Sequence, residues 1–110
     1  MGFRNVRIGS ITTVGDIAGP FSPDAQRYGK DFSISLHSHS AGSPWSGTIQ
    51  VERSTDNGVS WTVVSIDAAG TPAIYTSAVE VNGSEPALGM EYRARATGAI
   101  TNQCDVVFAQ

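Results

Sequence analysis

The chain has 110 residues, 40% of them hydrophobic and only 15% charged, enough for one modest core but well below the average charge of a soluble surface. Its seven basic residues are scattered among ten acidic ones for a net charge of −3, which argues against a nucleic-acid surface, because neutralising phosphates needs clustered Lys and Arg. The single cysteine, Cys104, excludes an internal disulfide and leaves the fold to packing.

Met1 to Arg7 is basic, but no apolar core of a secretory signal follows it. No apolar run approaches the roughly 18 residues of a membrane helix, and Val6 stands where a myristoylation signal wants Ser or Thr. Synthesis in the cytoplasm, without a membrane anchor, is expected. Phe3 to Ile11 alternates loosely and suits an edge strand. From about 15 to 31 the chain carries two prolines and three glycines without a sustained period, so it reads as a long loop or arm of one domain spanning 1–110. One helical turn fits Asp24 to Tyr28.

Phe32, Ile34 and Leu36 alternate with Ser33, Ser35 and His37, predicting a central strand with one buried face. Ala41 to Pro44 is a turn ahead of Trp45. Thr48 to Val64 then reads as a β-hairpin, with Ile49 and Val51 on one face and Gln50 and Glu52 on the other. Asn57 and Gly58 tolerate positive φ in its turn, and Asp56 can accept hydrogen bonds from turn amides. Trp61 and Val63 head the next strand, which ends near Asp67, and Trp61 is expected in the inter-sheet core. Ala73 to Val81 reads as one strand with Ser77 as its weak point, broken by Asn82 to Pro86. Glu91 to Thr97 is the cleanest two-sided strand, with Tyr92, Ala94 and Ala96 inward and Arg93 and Arg95 outward on the face of Glu52. The last strand turns Cys104, Val106 and Phe108 inward.

No segment carries a helical apolar stripe over three turns, so the chain is predicted to be all-β. Seven to eight antiparallel strands suggest a two-sheet sandwich, either a jelly roll or an immunoglobulin or fibronectin type III-like arrangement. Ser54, Asp56, Gly58 and Trp61 resemble the Asp-box hairpin of sialidases and their relatives, with Ser60 where Thr is usual. That resemblance implies a fold element only, because a propeller needs several blades of about 40 residues each. The Val-Glu-Arg-Ser and Tyr-Arg-Ala-Arg-Ala strands also resemble the middle and late strands of fibronectin type III domains.

Candidate chemistry is sparse. His37 and His39 project to one face of a strand, but two imidazoles without a third ligand at a signature spacing read as solvated histidines rather than a metal site. Asp56 could offer oxygen to calcium, yet its turn chemistry favours capping its own hairpin. Cys104 lacks a neighbouring base and reads as a small buried hydrophobe. The serines lack a nucleophile elbow, and no phosphate loop precedes a helix. The expectation is a protein that is not an enzyme and uses no cofactor.

A short acidic all-β chain carrying the Ser-Thr-Asp-Asn-Gly-Val-Ser-Trp hairpin and the Tyr-Arg-Ala-Arg-Ala strand resembles small structural proteins of tailed bacteriophage virions, over about Gly47 to Gln110. The resemblance implies synthesis in the host cytoplasm, a virion location, other capsid or tail proteins as partners, homo-oligomerisation, and a role in decorating or stabilising the particle. The alternative is a carbohydrate-binding or host-adhesion module with Trp45 exposed. Ile17, Phe21 and Tyr28, apolar side chains on the 15–31 arm, are expected with Trp45 to form the interface.

Overall fold

Period-two alternation decides most of the chain. The computed structural model, which describes residues 5–110, folds it into two antiparallel sheets facing each other. The strands are β1 (Val6–Ile11), β2 (Ile17–Phe21), β3 (Asp31–Ser38), β4 (Ile49–Ser54), β5 (Thr62–Val63), β6 (Ile74–Tyr75), β7 (Val79–Ser84), β8 (Glu91–Ala96) and β9 (Cys104–Ala109). One helical turn, α1 (Ala25–Tyr28), begins where the Asp24 carboxylate accepts from the Arg27 amide at 3.0 Å.

The four-stranded sheet has the order β1-β9-β3-β7, and the five-stranded sheet runs β2-β8-β4-β5 with β6 also on β4. With β5 and β6 counted as two fragments of one strand, the sheets interleave as a jelly roll, the choice that alternation alone leaves open. β3 is internal and β1 is an edge, as expected; Phe3 lies outside the described residues.

The inner faces meet where alternation places them. Ile34, Leu36, Val106 and Phe108 face Ile49, Val51, Tyr92 and Ala94 across the sandwich, all buried. Phe21 stacks on Phe108 at 5.4 Å between centroids, Phe32 lies 5.7 Å from Phe21, and Tyr92 lies 4.8 Å from Phe32.

The expected arm at 15–31 is corrected: Ile17–Phe21 is strand β2, paired with β8, and Phe21 is 2% exposed in the core rather than at an interface. A register shift between Ala18 and Phe21 takes Gly19 and Pro20 out of the regular ladder. That bulge masks the strand's period in the sequence. Ala73–Val81 is likewise two strands, with the chain crossing between sheets after Tyr75 and joining the other sheet at Val79. The break expected at Asn82 falls later, since β7 runs on to Ser84. Gly83 is needed inside it, because a Cβ there would come within 2.5 Å of the Phe32 ring.

The sandwich has two unlike sides. Where β1 lies over β2, Gly9 meets Ala18 so closely that a Cβ on Gly9 would be 2.8 Å from the Ala18 methyl. On the opposite side β7 faces β5 and β6, two residues each and separated by the excursion from Val64 to Ala73. A cleft of about 630 Å³ opens there, floored by Phe32, Ile34 and Val51 and lined by Ile66, Tyr75 and Val81.

Candidate functional site

The hairpin turn is built by side chains that substitute for backbone hydrogen bonds. The Ser54 hydroxyl donates to Asp56 at 2.7 Å and accepts from the Gly58 amide at 2.8 Å, while Asp56 accepts from the Ser60 amide at 2.9 Å and from the Ser60 hydroxyl. These bonds, Ser60 first, hold the Asp56 pKa down at about 2. Asn57 and Gly58 take φ of 59° and 82°, left-handed values that asparagine and glycine tolerate best. Serine at position 60 therefore serves where Thr is usual, because only the hydroxyl and the amide are used.

Trp61 closes this turn from outside, which corrects its expected place in the inter-sheet core. Its indole N–H donates to the Gly58 carbonyl at 3.0 Å, and the Arg93 guanidinium lies over its ring at 4.3 Å. Trp45 takes the core place instead. It is 1% exposed, its ring N–H donates to the Leu36 carbonyl at 3.3 Å, and its amide donates to the Ser38 hydroxyl. The turn before Trp45 folds the indole inward, so neither the interface nor the sugar platform expected of it is available.

The outer face of the five-stranded sheet gathers the most chemistry. Glu52, 3% exposed, accepts from Arg93 at 2.7 Å and from Arg95 at 2.9 Å, with Gln50 also donating to it. Burial pushes its carboxyl up, but the bonds from Arg95 and Arg93 outweigh burial and hold the pKa at about 2. Glu52 shares its face with both arginines as the alternation predicts. It differs in being desolvated rather than exposed, with both guanidinium groups bonded to its carboxylate. In register, Ile17, Arg95, Gln50 and Ile74 form one row across the sheet, and Arg93, Glu52 and Val63 form the next. Ile17, Val63 and Ile74 are 47%, 36% and 43% exposed at its margins.

Sequence reasoning missed a second buried carboxylate, Glu85, expected only as part of a turn. It accepts from Arg53 at 2.6 Å, from the Tyr92 hydroxyl at 2.9 Å and from the Ala87 amide at 3.2 Å. Burial raises its pKa, but the Arg53 and Tyr92 bonds bring the net shift down. Burial, with Glu85 beside it, pushes the Tyr92 phenol up to about 12. The only local signal was Arg53, an inward position on β4 carrying a charge that needs a partner.

The remaining candidates separate. His39 meets Asp105 at 2.9 Å, while His37 bonds Ser35, so the two histidines do not converge on one ligand. Among the described residues no three of His, Cys, Asp and Glu cluster as metal ligands. Cys104 is buried, and burial pushes its thiol up to about 12, out of range for a thiolate at neutral pH. Tyr28 is half-buried with the Arg27 guanidinium 5.8 Å from its ring, so of the expected interface set Ile17 alone stands well exposed.

No family model matches the chain, and no curated protein matches it. The crystal structure of the Yersinia pseudotuberculosis-derived mitogen is similar over 99% of this chain and 85% of that one, with a TM-score of 0.45 and 9% identity. A likeness of that degree says nothing about function.

Proposed function

We propose that this chain is a non-enzymatic structural protein of a tailed-phage virion, docking on the capsid or tail surface through the outer face of its five-stranded sheet. The observation that carries the docking surface is the ordered strip of Trp61, Arg93, Glu52 and Arg95 flanked by exposed Ile17, Val63 and Ile74. Tryptophan and arginine dominate binding energy at protein interfaces, and here Glu52 and the hairpin turn already fix their rotamers, which lowers the entropy lost on docking. Because two guanidinium groups surround one carboxylate, the strip favours an acidic partner surface. The jelly-roll order adds an analogy only, since that architecture serves capsid proteins and lectins alike.

The test uses isolated particles. An Ile17→Ser, Ile74→Ser variant changes two side chains at the sheet's margins, 47% and 43% exposed, and leaves the buried core intact. It is expected to melt like the parent and to be washed from particles that retain the parent. A parent that never binds particles, or a variant retained equally, removes the reading.

A further inference from the structure

The free edge of β7 supports an interaction that does not depend on the virion reading. β3 covers one side of β7 in an antiparallel register with Val81 opposite Ile34 and Gly83 opposite Phe32, continued by the Glu85 amide donating to the Lys30 carbonyl at 2.7 Å. Hydrogen-bonded pairs alternate in such a ladder, so β3 takes the N–H and C=O groups of Val81 and Gly83, in phase with the Glu85 N–H that Lys30 takes just beyond it. Those of Glu80, Asn82 and Ser84 point the other way, towards the cleft that these three residues line. No strand covers them among the described residues, since β7 ends its sheet.

A six-residue edge without a bulge, proline or lysine is a template for another strand. We propose that its occupant is β7 of a second copy of this chain, paired antiparallel about a two-fold axis through Asn82. In that register Asn82 faces Asn82 of the second copy, and Glu80 faces Ser84 in both directions, each pair exchanging its free N–H and C=O groups. The charges favour it, because Glu80 is the one charged side chain lining the cleft and this register sets it against a hydroxyl, whereas a two-fold axis through Glu80 would oppose two carboxylates. Shape favours it too. On the inner face Val81 falls opposite Gly83 in both directions, a branched side chain against a position with none. The two four-stranded sheets become one continuous sheet, and each copy's inward side chains roof the other's cleft.

Light scattering of the intact chain should read twice 11.5 kDa at high concentration. Asn82→Pro removes an outward N–H without touching the β3 ladder and should give a monomer whose melting matches the parent measured as a monomer. If proline disturbs the fold, charge reversal decides instead. Ser84→Glu sets like charges opposite Glu80 at both ends of the joint and should weaken association at least tenfold, whereas Ser84→Lys should preserve or strengthen it. A parent that stays monomeric overturns the proposal. A dimer that tolerates both Asn82→Pro and Ser84→Glu overturns it as well, because the joint then lies elsewhere.

Discussion

The two sides of this sandwich differ in how the sheets meet. At the β1–β2 side a glycine and an alanine face each other, so the backbones approach until no further methyl fits, and Phe21 fills the space behind them against Phe32 and Phe108. At the β7 side the matching strand is cut into β5 and β6, and the excursion between them holds the sheets apart over a cleft. One architecture thus provides a sealed side that stores stability and an open side that exposes a strand edge. Small residues close a sandwich; an interrupted strand leaves it open for a partner.

The largest expected effect lies at the sealed side. Phe21→Ala removes a buried ring stacked on Phe108 and tilted against Phe32 and should cost about 3 to 5 kcal/mol, the loss of its burial plus the cavity it leaves. Denaturant melts check it. A loss below about 1 kcal/mol would mean that this side packs no better than the open one.

Next in size is Gly9→Val, which forces a branched side chain onto the Ala18 methyl and should cost about 1 to 3 kcal/mol by overpacking. Ala18→Gly in the same chain should recover part of that loss, since it removes the atom met first. Additive losses in the double variant would break the claim that these two residues form the closure.

Between the two sides, Glu52 couples β8 to β4 through its arginines. Its folded pKa, held near 2, lies below the ordinary carboxylate value of 4.5. Its contribution to stability is therefore fully present above about pH 4.5 and is lost as pH falls towards 2. Stability measured over that window should fall less steeply in Glu52→Gln than in the parent, and parallel curves would refute the linkage. Asp56 titrates in the same window but is unaffected by this substitution, so the difference between the curves isolates Glu52.

How far the sequence reveals this division depends on the strand. β3, β8 and β9 are legible because each alternates without interruption and buries one face, so Tyr92, Ala94, Val106 and Phe108 could be placed inward from period alone. β2 is illegible, because Gly19 and Pro20 sit inside it and local turn chemistry outweighs a ladder supplied by residues far along the chain, Tyr92 to Arg95. The two tryptophans trade their expected places for a related reason. Trp61 follows a turn whose carbonyl its own N–H can reach, while burial of Trp45 depends on the Leu36 carbonyl nine residues back, a tertiary partner that period does not encode. The hairpin turn and the shared face of Glu52, Arg93 and Arg95 were readable. Desolvation of that face was not, since it follows from how the side chains lie together.

The smallest effect belongs to the open side, where it is the most discriminating. Ile66 is 52% exposed in the excursion between β5 and β6 and lines the cleft, yet it is not among the hydrophobic side chains packed against the core. In the monomer, Ile66→Ser should change stability by no more than about 0.5 kcal/mol, because a half-exposed side chain loses little apolar burial when it becomes polar. That near-null result contrasts with Phe21→Ala, an apolar truncation of comparable kind on the sealed side. If a second copy roofs the cleft, Ile66 gains burial only on association, so the same substitution should weaken dimerisation while leaving the dilute melt untouched. The measurement is a melt at two protein concentrations, one on each side of the association midpoint. A parent whose melting rises with concentration, beside an Ile66→Ser variant whose melting rises less, locates the missing apolar cover on the partner. A loss of several kcal/mol already in the dilute monomer would instead place Ile66 among the residues that hold the sheets together, and the open side would then be a second sealed one.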